Sequence, residues 1–515
     1  MVPVGQGVLS LEDFYEVLIN DKKVALPVSA MSRIDINFQF LKEFSSDKLI
    51  YGINTGFGPM AQYRVSKNNL LQLQYNLIRS HCSGSGSLLE PVLVKALMIA
   101  RLNSLMQGYS GIHSEVVQLL VELINKNIIP CIYEHGGVGA SGDLVQLAHL
   151  ALVMIGEGEV MFDNAIFPTK DIYRSFGIKP LHIHIREGLA ILNGTSAMTG
   201  IGIVNIIYAQ KLLRWSAMLS AMTNEVVEAY DDHFSDELNR VKPHKGQNQI
   251  SRMLRDILKG SEMIRKRSEH LYPFGNSNQE VLDEKVQEYY SLRCVPQILG
   301  PIYDTIIQSE NVLVNELNSV NDNPIIDHEN KNIFHGGNFH GDYVSLEMDK
   351  LKIAITKLSM LSERQLNYLM NDKLNRKISP FANLGVLGLN FGMQGVQFTA
   401  VSIVAENQTL SFPMYIHSIP NNNDNQDIVS MGCNAAIMTR RVIDQSFVVL
   451  AIQLMSLLQG IDYLECHERL APLTKSLYSE VRKIFPKFIE DQPKYRDIER
   501  IKKFLETADS MVSFT

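Results

Sequence analysis

Charge is the scarcest common ingredient of this 515-residue chain: Asp, Glu, Lys and Arg make up 20% of it, against roughly 25% in an average soluble domain. With apolar residues at 45%, either the core is unusually large or part of the surface is covered by a partner. Forty-eight Lys and Arg against 55 Asp and Glu give a net charge of −7. No basic tail or acidic block accompanies it, which argues against nucleic acid and anionic membrane as partners and for a small or uncharged ligand. Cysteine is sparse as well. Cys82, Cys131, Cys294, Cys433 and Cys466 are scattered and form no C-x-x-C pair, so no disulfide framework or zinc ribbon is indicated and a reducing cytoplasm is expected. The opening MVPVGQGVLSLEDF lacks the charged and apolar regions of a signal peptide. The most apolar later run, Phe447–Leu458, is interrupted by Gln453 and falls short of the roughly 18 residues that span a bilayer.

Linkers, low-complexity runs and internal repeats are missing too. Length alone would allow about three domains. Helical periodicity runs through most of the text, as in Met348, Leu351, Ile355 and Leu358 within a stretch from Ser345 to Met370 free of Gly and Pro. Similar patterns predict helices at Leu70–His81, Leu88–Met106, Ser114–Asn125, Ala197–Val226, Gln297–Leu317 and Thr399–Leu410, and around Phe447–Leu458. Strand-like alternation is confined to short pieces such as Glu159–Phe162 and Leu181–Ile185, predicting one small β patch before residue 186. The expected class is mainly α, a bundle of more than four helices. Gly and Asn gather instead in discrete loops, where functional groups tend to be presented: YGINTGFGP, EHGGVGASGD, Asn193–Thr195, NDNP, HGGNFHG and IPNNNDNQDIVSMG.

GGVGASGD, Gly136 to Asp143, precedes an apolar helix near Leu144. It is a poor phosphate loop, having no Lys-Ser/Thr after the glycines, and a plain helix-starting turn is the bland alternative. Its sharper reading is chemical. Small residues around Ser141 would let the Gly142 nitrogen reach the Ala140 carbonyl carbon, and loss of water at Ser141 would then leave an exocyclic methylene, an electrophile made from backbone. Tyr51 heads a Gly-hinged loop that reads as an anchored turn or as a lid carrying a base, the latter needing nearby positive charge. Arg293, in Tyr290-Ser291-Leu292-Arg293, is either a surface ion or a bidentate clamp for a carboxylate. The histidine pairs His182/His184 and His335/His340 and the triplet Asp231-Asp232-His233 do not match metal spacings, so no metal is expected. Neither a G-x-S-x-G elbow nor a dinucleotide-binding unit is present.

Taken together and in order, YGINTGFG, GGVGASGDL, LNGTSAM, YSLRCVPQ, NDNP, GGNFHG and NQD-x-x-SMG resemble the aromatic amino acid ammonia-lyases and aminomutases over nearly the whole chain. The resemblance implies an elongated multi-helix bundle of the fumarase/aspartase-like superfamily, with a small α+β electrophile-bearing region at residues 1–195 and the long-helix bundle and C-terminal helices at 196–515. It also implies a 4-methylidene-imidazole-5-one formed autocatalytically from Ala140-Ser141-Gly142, no metal or dinucleotide, and a homotetramer with composite active sites, into which the scarcity of charge fits as surface buried between copies. By the same resemblance Tyr51 matches the catalytic base, Asn193 the residue bonding near the electrophile, Tyr290 and Arg293 the contacts to its surroundings and to the substrate carboxylate, and Phe339 a pocket aromatic. The chemistry agrees: the β-hydrogen of an amino acid is weakly acidic and its ammonium a poor leaving group, so covalent capture of the amine with a placed base eases both problems.

The substrate-selecting positions pull in two directions. Ser80-His81 resembles histidine ammonia-lyases, whereas Asn425-Gln426-Asp427 puts an amide, Gln426, where those enzymes typically carry Glu. A neutral amide is a weak partner for a protonatable imidazole, while His81 can hydrogen-bond a phenol. The fuller text, including FLKEF and QLQYNLIRSH, is most similar to tyrosine ammonia-lyases of the flavobacterial type. L-Tyrosine, giving 4-coumarate and ammonia, is therefore the expected substrate. The alternatives are a histidine ammonia-lyase, a tyrosine 2,3-aminomutase and, from another class, a helical assembly protein without turnover.

Overall fold

The computed structural model describes residues 1–276, 279–282 and 284–508. Helix accounts for 59% of the chain, as the periodicity predicts. The residues sort into two compact units, each entered three times by the chain: Met1–Ile207, Ser309–Asp349 and Pro413–Arg440 form one, and Tyr208–Gln308, Lys350–Phe412 and Arg441–Thr515 the other. Four of the five boundaries fall within long helices, Ser196–Val226, Val295–Leu317, Asp342–Met370 and Gly432–Leu464, and the fifth, at Phe412/Pro413, follows the helix Gln394–Leu410.

In the first unit the helix Pro91–Met106 begins with a proline, whose missing N–H costs nothing in a first turn. Every residue from Leu93 to Met106 is buried, so its polar side chains need internal partners. Lys95 pairs with Asp21 at 2.9 Å, and Asn103 donates to the Leu317 carbonyl at 2.9 Å. Gly200 brings the start of Ser196–Val226 against this helix, since a Cβ there would sit 2.5 Å from the Leu97 nitrogen. A smaller apolar cluster of Leu41, Ile50, Ile53, Ile326 and Ile333 pins the segment on both sides of Tyr51.

The second unit is built from long helices that cross-link through buried amides. Gln453 donates to Gln365 Oε1 at 2.7 Å and to Thr223 Oγ1 at 3.2 Å, and Gln365 donates to Ser220 Oγ at 3.0 Å. Glu225 accepts from the Ala471 N–H and, at 2.6 Å, from Thr474 Oγ1.

Several expectations need correction. Leu181–Ile185 is not a strand: Leu181 and Ile183 are buried and His182 exposed, so the alternation is real, but no neighbouring strand pairs with it. Instead the Ile183 N–H donates to Tyr75 Oη at 3.2 Å. Nor does β structure end before residue 186, because Ile325–Asp327 and Asn332–Phe334 form a hairpin. The sheet expected at Glu159–Phe162 is present and pairs with Ala165–Pro168 across Asp163 and Asn164, both at positive φ as a tight two-residue turn demands. Finally, the apolar run at Phe447–Leu458 lies inside a 33-residue helix, Gly432–Leu464, which is long and apolar enough to cross a membrane by length and composition. Within its most apolar window 78% of the residues are buried inside the fold.

Candidate functional site

The first unit encloses a cavity of about 630 Å³, and its walls come from the loops and helix ends that carry the sequence motifs. Tyr51, Ser80, His81, Ser141, Asn193, Phe339, Asn425 and Gln426 all line it. Ser80 and His81 end the helix Leu70–His81, Ser141 lies just before Leu144–Met154, and Asn193 caps the C-terminus of Glu187–Leu192. Leu73, Leu77, Leu144 and Leu189 supply apolar wall.

Residues 138–143 are clamped from two sides. On one, Ser430 Oγ donates to the Gly139 carbonyl at 2.9 Å and the Met431 N–H to the Val138 carbonyl at 3.0 Å. On the other, the Asp143 N–H donates to the Gly194 carbonyl at 2.8 Å. Gly142 has φ +75°, and a Cβ on it would lie 2.1 Å from the Gly194 oxygen. Any side chain would therefore collide with backbone, so glycine is required here on steric grounds alone. Ala140 is buried beside it, and neither Ala140 nor Gly142 faces the cavity as Ser141 does.

Both oxygens of Ser141 are held. Asn193 Nδ2 donates to its carbonyl oxygen at 2.9 Å and Gln426 Nε2 to its hydroxyl at 2.9 Å. The Asn193 amide is itself oriented, because its Oδ1 accepts the Asn323 N–H at 2.7 Å, and Asn323 Oδ1 accepts the Gly336 N–H at 2.8 Å. Asn323 sits between Asp322, which forms a fully buried ion pair with Arg186 at 3.0 Å, and Pro324, whose carbonyl accepts from the same guanidinium at 2.5 Å. NDNP was legible as a loop, but its supporting part in the site, and that of Arg186, were not. Asp143, two residues after Ser141, is wholly buried. Burial pushes its carboxyl up to about 7, against the pull of the Met198 and Ala197 N–H groups.

Tyr51 is half-buried, with its ring edge-on to Phe57 and His335 at 6.4 and 6.5 Å. Its hydroxyl oxygen accepts the Gly58 N–H at 3.2 Å, a contact that persists whichever way the hydroxyl proton moves. His335 is held below the ordinary imidazole range by burial and then by the Arg186 charge. On the opposite wall His81 Nδ1 lies 2.9 Å from the Leu77 carbonyl and 3.0 Å from Ser80 Oγ.

Two further predicted site residues do not line this cavity. Tyr290 and Arg293 belong to the second unit and line a separate cavity of about 640 Å³. Tyr290 is 70% exposed, and the Arg293 guanidinium lies 4.7 Å over its ring while donating to Gln287.

The sequence matches the family model for aromatic amino acid lyases over residues 9–483. The chain belongs to the aromatic amino acid lyase family. Among its relatives, a histidine ammonia-lyase from Shouchella clausii is 35% identical over 96% of this chain and 96% of its own length. A tyrosine ammonia-lyase from Cupriavidus metallidurans is 37% identical over 92% and 89%. The crystal structure of a tyrosine aminomutase from Streptomyces globisporus superposes with a TM-score of 0.94 at 34% identity, covering 98% of this chain and 96% of that one. The mainly helical architecture is thus the fumarase/aspartase-like fold. Family members act on aromatic amino acids and use a methylidene-imidazolone group. The residues present fit that group: the Gly142–Gly194 approach leaves room only for a nitrogen without a neighbouring Cβ, and Asn193 holds the carbonyl that the ring would keep. Among the described residues no cluster of three or more His, Cys, Asp or Glu could hold a metal ion.

Proposed function

We propose that this protein is a tyrosine ammonia-lyase, converting L-tyrosine to 4-coumarate and ammonia. The observation that carries the choice is the His81 contact to the Leu77 carbonyl at 2.9 Å. A ring nitrogen facing a carbonyl must bear the hydrogen, which leaves Nε2 of the neutral ring as an acceptor. An acceptor beside the apolar side chains of Leu73 and Leu77 suits the hydroxyl of a phenol, for which phenylalanine offers nothing. Gln426, a neutral amide, gives a histidine substrate no charge partner.

When formed, the methylidene-imidazolone from Ala140-Ser141-Gly142 supplies an electrophile that makes the substrate nitrogen easier to expel. Tyr51 takes the β-hydrogen, and Asn193 keeps the carbonyl beside the reacting centre polarised. Phe339 packs against the substrate ring, and Ser80 and Asn425 complete the polar rim. Tyr290 and Arg293 reach the site from another copy of the chain in a homotetramer, where the guanidinium pairs with the substrate carboxylate. Self-association is supported by large apolar side chains left at the surface of the second unit: Leu387, Leu389, Phe391 and Phe398 are each more than 60% exposed.

Purified protein incubated with L-tyrosine and, separately, L-histidine tests the reading through 4-coumarate and urocanate absorbance. Urocanate alone would overturn it. The likeness to a tyrosine aminomutase favours a second reading, in which the amine returns to the β-carbon. β-Tyrosine as the main product would select that one.

A further inference from the structure

We propose that Gln426 acts before the first turnover, as the hydrogen-bond donor that helps the Ser141 hydroxyl leave while the electrophile is made. The inference rests on the reading above that Ala140-Ser141-Gly142 cyclises. Each oxygen of Ser141 is gripped by a different carboxamide: Asn193 holds the carbonyl oxygen, which stays, and Gln426 holds the hydroxyl oxygen, which goes, both at 2.9 Å. Gln426 comes from 285 residues away and has been brought to this hydroxyl by the fold, not by chain proximity.

Its placement is stiff. The Gln426 and Asn421 backbones exchange hydrogen bonds of 3.1 and 3.3 Å, closing a short loop around the intervening residues. Asn422, Asn423 and Asp424 within that loop all have φ between 53° and 56°. Left-handed backbone is disfavoured by most side chains but tolerated by Asn and Asp, which gives the NNND text a reason. The loop therefore presents one amide N–H to one hydroxyl, while Ser430, a few residues on, fastens the same segment to Gly139.

The chemistry needs such a donor at one step only. In the first step the Gly142 nitrogen bonds to the Ala140 carbonyl carbon, and that oxygen departs as water with the N–H hydrogens of Gly142 and Ser141, leaving a ring C=N. In the second, Ser141 loses its Cα proton to water, the Cβ–Oγ bond breaks with its electron pair on oxygen, and a Cα=Cβ double bond forms. The departing hydroxide takes up a proton, so a second water leaves and nothing is oxidised or reduced. Charge develops on Oγ in this second step, and a fixed N–H at 2.9 Å stabilises it without reorganising. Asn193 cannot substitute, since its amide is committed to the carbonyl side.

Intact-mass measurement during synthesis of the full chain reads the two waters separately. Wild type is expected to end two waters light. Gln426→Met, similar in length but without the donor, should accumulate a species one water light and complete the second loss about tenfold or more slowly, the weight of one hydrogen bond to a developing charge. Gln426→Ala should behave likewise, which guards against a folding defect peculiar to methionine; far-UV circular dichroism checks that both are folded. Loss of two waters at the wild-type rate in either folded variant overturns the proposal, and so does a variant that loses none, because the donor would then serve cyclisation. A wild-type chain of unshifted mass would instead overturn the electrophile reading itself.

Discussion

Side-chain carboxamides do different work in the two units. In the second, Gln365 and Gln453 sit on long helices, Gln453 donating to Gln365 and Thr223 and Gln365 to Ser220, so that the amides stitch helices together. In the first, Asn193 and Gln426 sit at a helix end and in a loop, and both spend their N–H groups on Ser141. The same functional group is structural where its partners belong to the scaffold. Where its partner is Ser141, it holds a residue that faces a cavity. The buried charges divide in the same way: Glu225 secures one helix start by accepting from Ala471 and Thr474, whereas Arg186 and Asp322 hold the loop that orients Asn193.

The contrast breaks most visibly at Ser141. Ser141→Ala should lower turnover by roughly three or more orders of magnitude, as loss of a covalent catalytic group does, with helicity unchanged in circular dichroism; a collapsed fold would make Ser141 a packing residue. Arg186→Met strands the buried Asp322 carboxylate and should cost about 3–5 kcal/mol, read from the denaturant midpoint. Gln453→Leu in the second unit should cost about 1–3 kcal/mol for the partners left unsatisfied yet leave the mass loss at Ser141 intact. His81→Phe should reduce the preference for tyrosine over phenylalanine by roughly tenfold or more, measured as the ratio of kcat/KM values.

A further effect concerns pH. Burial raises the Asp143 carboxyl from 3.8 to about 7, so the folded state holds its proton more tightly than the unfolded chain. Its contribution to stability is full below the unfolded value and is lost as pH rises through the folded one. Wild type should thus lose stability between pH 4 and 7 relative to Asp143→Asn, in which that part of the slope is absent from paired thermal melts.

Much of the fold was legible because helices are encoded locally. Leu70–His81 and Ser114–Asn125 occur with the bounds that their apolar spacing predicts. Where local text failed, the missing information was a partner. Leu181–Ile185 alternates like a strand but finds no strand beside it, while Ile325–Asp327 and Asn332–Phe334 are too short to announce themselves and exist because they pair. The helix Gly432–Leu464 looked short because Arg440, Arg441 and Asp444 interrupt its apolar text, although charged residues do not interrupt helix. Among the site residues, the loop motifs pointed to Tyr51, Ser141, Asn193, Phe339 and Gln426, and these do share a cavity. Tyr290 and Arg293 do not join them within one chain.

By itself the sequence determined which segments coil into helices, which Gly- and Asn-rich loops interrupt them, and that residue 142 bears no side chain, all matters decided within a few residues along the chain. Only the tertiary structure decided that Gln426 donates to the Ser141 hydroxyl and that Asn323 aims Asn193. Hydrogen bonds of this kind depend on tenths of an ångström between groups up to hundreds of residues apart, and such distances are set by how whole helices pack.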